Sequence, residues 1–265
     1  MSRTRRFSVP LFLLALFSLA AHGAPQKEVR KTLPLAANGR VEIDTYKGSI
    51  DVTAEDRADV VVEARVVADT DCGDEKTWAE WVEATEVRID AHPDLVLIET
   101  SYGRLEEYRQ GFLSWCTSRP FVHYRIRMPK AASLDIKDYK STIDVSALAG
   151  RLRLESYKGK MRIAGLDGRL DLETYKGTAR VEFARLAGDV RVETYKGEIE
   201  LDLPKGAAFT LHADADRHGR IRSDFDVPSQ AASHRSGDSL RGAVNGGGPR
   251  LDATTRKGTI RITEH

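Results

Sequence analysis

Within 265 residues, 41 Lys and Arg balance 40 Asp and Glu, leaving a formal charge of +1 with 41% hydrophobic and 31% charged residues. That length and hydrophobic content suit one large folded domain or two small ones and exclude a disordered polymer. The balanced charge excludes a general affinity for nucleic acid or for a membrane surface.

The first 23 residues are of a different kind. Arg3, Arg5 and Arg6 precede the apolar run LFLLALFSLA, which has the length of a signal-peptide core and is too short to span a bilayer. Ala21 and Gly23 supply the small residues of a cleavage site. Residues 1–23 therefore read as a removed export signal, with Ala24 as the mature start and the periplasm, the medium or the cell surface as the destination. Loss of the three arginines takes the formal charge from +1 to −2. No cysteine follows the run, against a lipoprotein, and no later segment is apolar enough for a transmembrane span.

Residues 24–130 read as an N-terminal β region that caps the repeats C-terminal to it. DVVVEARVVA (59–68), ATEVRIDAH (84–92), DLVLIETSY (94–102) and FVHYRIRMP (121–129) alternate apolar and polar residues, the pattern of half-buried strands, and are expected to pair antiparallel. A cap of this kind would protect the open edge of a stack. Between them, GDEKTWAEWVEA (73–84) reads as a short helix with Trp78, Trp81 and Val82 on its inner face. Cys72 and Cys116 are the only cysteines, and in an exported chain an even pair reads as a disulfide. Closing that loop would stabilise the fold by roughly 3–4 kcal/mol.

Residues 131–265 are repetitive. IKDYKSTIDV, LESYKGKMRI, LETYKGTARV and VETYKGEIEL place lysines at 140, 158, 176 and 196, separated by 18, 18 and 20 residues. An earlier variant, IDTYKGSIDV, begins at Ile43, and a late one, TTRKGTIRI, at Thr254. A second corner recurs between the lysines, at Leu148, Leu166 and Leu186. Each half-unit alternates with period two: Leu152, Leu154, Met161 and Ile163 share one side, as do Leu170, Leu172, Ala179 and Val181 in the next unit. Units this small cannot bury an apolar face alone, so they must stack. The expected fold is all-β: a parallel β-solenoid of 18–20-residue coils, with an N-terminal antiparallel cap and a short helical insert, the whole of 24–265 forming one structural unit.

Stacking aligns Asp135, Arg153, Asp171 and Arg191 in an outward column of alternating sign, each charge meeting an opposite one in the next coil. Ser156, Thr174 and Thr194 form a hydroxyl column beside the core. Gly159, Gly177 and Gly197 sit where the chain reverses and are expected there for their backbone freedom, although Ser141 replaces glycine in one copy.

On these repeats the chain resembles the bacterial putative-adhesin family, a domain of unknown function in exported proteins. The resemblance rests on the repeated Gly-x-Ile-x-Val signatures and on the ending GAVNGGGPRLDATTRKGTIRITEH. FTLHADADRHGRIRSDF (209–225) is similar to the family's penultimate coil, and FVHYRIRMPKAASLDIK to the start of its solenoid. The resemblance implies an envelope or surface protein and brings no catalytic residues. The 70–118 region departs from the pattern. Residues 227–248, rich in Ser, Gly and Ala, read as a long loop before the last strand pair.

Function is sought on the repeated surface. Tyr139, Tyr157, Tyr175 and Tyr195 fall in one column, with Lys140, Lys158, Lys176 and Lys196 in the next. Like charges opposed across strands destabilise, so something should offset the lysines. One answer is the nearby column of Glu155, Glu173 and Glu193, with lysine stems over the tyrosine rings. The other is a polyanion, an acidic envelope glycan or lipopolysaccharide phosphate, lying on the lysines with sugar rings on the tyrosines. A weaker constellation is His212, Asp214, Asp216 and His218, which share one face of an extended chain and include donors suited to a divalent cation, unless the extra residue before Gly219 bulges. The acids are spread in columns, and no catalytic or cofactor motif occurs, so an exported, non-enzymatic binding protein is the reading adopted. A polysaccharide-acting enzyme on the same fold, and a periplasmic structural or signalling module with a protein partner near the Trp78 helix, remain as alternatives.

Overall fold

The computed structural model describes residues 24–103, 105, 118–216, 218–227 and 237–265. The export signal expected over residues 1–23 and the Cys116 half of the expected disulfide lie outside them. Strands β1 (Gln26–Pro34), β2 (Arg40–Glu55) and β3 (Asp59–Val67) precede the helix α1 (Glu75–Ala84). Then come β4 (Glu86–His92), β5 (Leu95–Ser101) and β6 (Phe121–Pro129). The long strands β7 (Ser133–Ser146), β8 (Leu152–Leu166), β9 (Leu170–Phe183) and β10 (Val190–Leu203) follow. β11 (Phe209–Asp216), β12 (Arg220–Ser223), β13 (Gly237–Val244) and β14 (Arg250–Glu264) complete the chain. All fourteen described strands belong to one sheet.

The expected parallel stack is present: Leu154 pairs with Leu172 and Leu172 with Val192 on adjacent parallel strands. Each long strand carries its ladder through the Tyr-Lys-Gly corner. In β8, Leu152, Leu154 and Ser156 point inward, then Met161 and Ile163. The odd step from 156 to 161 switches the phase of a period-two strand, so the chain bends at the corner and both arms face one interior. That interior is a single apolar cluster running through the stack, with Leu134, Leu152, Leu172, Val192 and Leu251 on one arm and Ile143, Val181, Leu201 and Ile262 on the other.

Chain order and stacking order differ at both ends. β2 is a full coil. It lies between β7 on one side and, on the other, β5 against its first arm and β6 against its second. β5 and β6 thus act as the two arms of one coil, and the stack takes in residues well before position 131. At the far end β14 is wedged between β10 and the pair β11 and β12. The expected succession, with 209–225 penultimate and the final repeat last, is therefore reversed in space. The stretch expected to be a loop also contains a strand, since β13 pairs antiparallel with β11 as an edge strand.

Antiparallel strands flank both ends. β3 and β1 extend β6 antiparallel, and β4 extends β5, giving an antiparallel cap, while β5 and β6, expected within it, also pair parallel with β2. Asp74 caps α1 by accepting from the Thr77 amide at 2.8 Å. Trp81 and Val82 are buried, and Trp78 donates its indole N–H to the Cys72 carbonyl at 2.8 Å. On the edge strand β1, Lys27 and Lys31 donate to the carbonyls of Glu83 and Ile89, and charged side chains of this kind disfavour pairing of an edge with another chain. At the other end Phe225 meets Phe209 edge to face, with centroids 5.2 Å apart.

Candidate functional site

The expected backbone freedom accounts for only some of the corner glycines. Gly159 and Gly177 are not at positive φ, whereas Gly197 and Gly258 are, at 152° and 156°. What the four share is stacking: a β-carbon on any of them would overlap the backbone carbonyl oxygen of the corner in the coil before it. Glycine is needed because successive backbones approach with no room for a side chain. At Ser141 the corner is closed differently. Asp138 accepts from the Ser141 amide at 2.8 Å, from its hydroxyl at 2.6 Å and from the Ser156 hydroxyl at 3.0 Å. Burial nonetheless raises the Asp138 carboxyl above its ordinary pKa. The expected hydroxyl column of Ser156, Thr174 and Thr194 exists and extends to Thr255, with the Asp138 carboxyl and then the Thr45 hydroxyl continuing it on the other side.

With the corners in register, the tyrosines form a continuous stack. Tyr46, Tyr139, Tyr157, Tyr175 and Tyr195 lie face to face, with successive centroids 4.6, 4.8, 5.0 and 4.8 Å apart and ring planes within 13° of parallel. Both ends are covered by cationic groups. Arg119 stands over Tyr46 at 4.5 Å, with Tyr102 edge-on at 6.1 Å. At the far end Arg256 lies 5.9 Å from the Tyr195 ring. Tyr102, after β5, and Arg119, before β6, thus close one end of the stack. The ring faces are spent on one another and on these caps, so the sugar-stacking platform imagined for the tyrosines is absent. Edges and hydroxyls are what solvent meets: Tyr139, Tyr157 and Tyr175, at 41%, 41% and 39% exposure, are the exposed large hydrophobics among the described residues.

Lys158, Lys176, Lys196 and Lys257 are register partners in successive coils, and Lys140 holds the same corner of β7. All five are exposed. Lys47, next in register, is not: it is 8% exposed, paired with Asp69 and 4.1 Å from the Phe121 ring centroid. Burial works to raise the Asp69 carboxyl, but bonds from Lys47, Ser118 and the Asp71 amide outweigh it and hold the pKa below its ordinary value. Two of the three expected glutamate partners are engaged elsewhere. Glu155 sits 2.6 Å from Arg153, and Glu193 2.8 Å from Arg191. The expected column of alternating signs is in register, Asp135 beside Arg153, Arg153 beside Asp171 and Asp171 beside Arg191, but both arginines make their direct ion pairs along their own strands, while Asp171 is 3.9 Å from Arg151 and Asp135 3.8 Å from Arg40. Among the described residues no carboxylate lies within 4 Å of any of the five exposed lysines. Two of them, Lys176 and Lys257, sit 5.2 and 5.9 Å from tyrosine rings.

Tyr46, Lys257 and the capping arginines were missed as members of this surface, although IDTYKGSIDV and TTRKGTIRI carried the signal for the first two. The second constellation gathers less. His212 lies 3.0 Å from Asp214 and 3.4 Å from Asp252, and Asp214 is shared with Arg241 at 3.1 Å. Asp216 ends β11 and His218 lies beyond it. Among the described residues no three His, Cys, Asp or Glu side chains are grouped to hold a metal.

A model of the family described as Toastrack DUF4097 matches residues 126–263. Among solved structures, the chain is similar to a "putative cell adhesion protein" from Clostridium sporogenes, at 13% identity and a TM-score of 0.51, covering 91% of this chain and 100% of that one. A "putative adhesin" from Bacteroides fragilis aligns over 90% of this chain and 97% of its own, at 11% identity and a TM-score of 0.33. No curated protein matches the chain. Among the described residues no helix is long and apolar enough to cross a membrane.

Proposed function

The chain belongs to the Toastrack DUF4097 family, and from that premise we propose that it is an exported, non-enzymatic, adhesin-like protein of the cell envelope that holds acidic glycans along its lysine row. The observation that carries this reading is the row itself: five exposed lysines, one per coil, with no carboxylate within 4 Å among the described residues. Two ammonium groups one coil apart, about 4.8 Å, repel by roughly 0.9 kcal/mol in water before salt screening. Two of the three neighbouring glutamates, Glu155 and Glu193, are bound to Arg153 and Arg191, and the third, Glu173, comes within 4 Å of none of the five lysines. A polyanion supplies the missing charge from outside, and its attraction weakens as salt rises. The test is the mature protein with Lys158, Lys176 and Lys196 changed to Gln. It should fold normally and lose binding to acidic envelope polysaccharide at low salt. Binding equal to the parent's would mean that the row is only a stacked corner.

A further inference from the structure

We infer that the lysine row acts as a ruler: it takes a linear polyuronate lying along the stack, with one sugar unit, and so one negative charge, per coil. This rests on the polyanion reading above and adds the ligand's chemistry, direction and length. The parallel register places one ammonium per coil without a slip from Lys158 through Lys176 and Lys196 to Lys257. The tyrosine stack beneath fixes the period, with centroids 4.6–5.0 Å apart. In four successive coils the residue after the lysine is Gly159, Gly177, Gly197 or Gly258, so the position next to the row carries no side chain. One end of the row is set by Lys47, which is drawn inward to Asp69 and adds no surface charge beyond Lys140.

Lysine heads are point charges and do not by themselves tell carboxylate from phosphate or sulfate. Spacing does. In a linear uronate polymer each sugar ring carries one charge and advances the chain by about the height of one coil. Polyphosphate packs its charges more closely and falls out of step. The tyrosine faces are already taken, so neutral sugars gain no stacking platform. The rings offer a row of hydroxyls at the same period, able to bond to the sugar hydroxyls or carboxylates of a polymer held by charge.

The experiment is calorimetric titration of the mature protein at low salt with size-defined oligogalacturonides, from two units upward. Each added unit should tighten binding about two- to five-fold, as for successive exposed ion pairs, until the oligomer matches the row, after which affinity levels off. Lys140→Gln should bring the levelling forward by one unit, and Lys176→Gln should weaken the long oligomers. Lys205→Gln, the same charge change at a distant turn, should do neither. Polyphosphate of equal charge number should bind more weakly. If polyphosphate binds as well, or affinity stops rising after two units, while acidic polymers still depend on the three central lysines, the ruler is wrong and the polyanion reading stands. If neither polymer binds at low salt, both fall.

Discussion

Replacing Gly177 by Ala isolates the close approach on which stacking depends. Gly177 is not at positive φ, so alanine meets no intrinsic backbone penalty there. Its methyl would overlap the Gly159 carbonyl oxygen and approach the Met161 methyl at 3.1 Å. The methionine can move, but the carbonyl belongs to the backbone of the preceding coil, so the two coils must part at the corner. Overpacking of this kind costs about 1–3 kcal/mol, and one or two weakened ladder hydrogen bonds add about 0.5–1.5 kcal/mol each. Lower entropy of the unfolded chain returns about 0.4–1 kcal/mol. The net expectation is a loss of about 2–4 kcal/mol, or a fall in Tm of roughly 4–15 °C for a domain of this size. Gly206 is the control: it is at φ 74° with nothing within 4 Å of an added methyl, so Gly206→Ala carries only left-handed strain, about 1 kcal/mol. Gly197→Ala combines overlap with φ 152° and should be the worst of the three. Urea unfolding followed by far-UV circular dichroism measures all three at a common m-value. If Gly177→Ala is no less stable than Gly206→Ala, coil-to-coil contact is not what selects glycine at these corners.

Asp69→Asn leaves Lys47 buried without its carboxylate and should cost about 3–5 kcal/mol by chemical denaturation. Because the Asp69 pKa is lowered in the fold, its contribution is present above the unfolded carboxylate range and disappears as pH falls through the folded value; the variant should lack that acid limb. Asp138 has the opposite sign: its raised pKa means a contribution that is complete at low pH and lost as pH rises just above the ordinary carboxylate range. Asp138→Asn should flatten that part of the stability–pH curve. For the cysteines, the mature protein denatured without reductant should show no titratable thiol, and reduction should lower stability by roughly 3–4 kcal/mol.

Much of this fold is written locally. Alternation around Leu154, Leu172 and Val192 marks each strand, and repeats spaced by 18 to 20 residues set the coil length, because covalent distance along the chain fixes where the next corner can fall. Those facts alone bring the tyrosines and lysines into adjacent columns. Other features depend on which edges meet once the coils have assembled. Every coil offers nearly the same hydrogen-bonding edge, so nothing local tells β14 to enter between β10 and the β11–β12 coil and not to follow at the end. Tyr-Lys-Gly is likewise identical at Lys47 and Lys176, yet one lysine is buried and the other exposed. The difference is Asp69 and Phe121, brought to Lys47 by other segments of the cap. Nor do the corner glycines reveal their purpose singly, since the carbonyl that excludes a side chain belongs to another coil. The sequence determines the repeating unit; the assembled stack decides which copies of it face a charge, a ring or water, because those neighbours arrive from distant segments only when the coils close on one another.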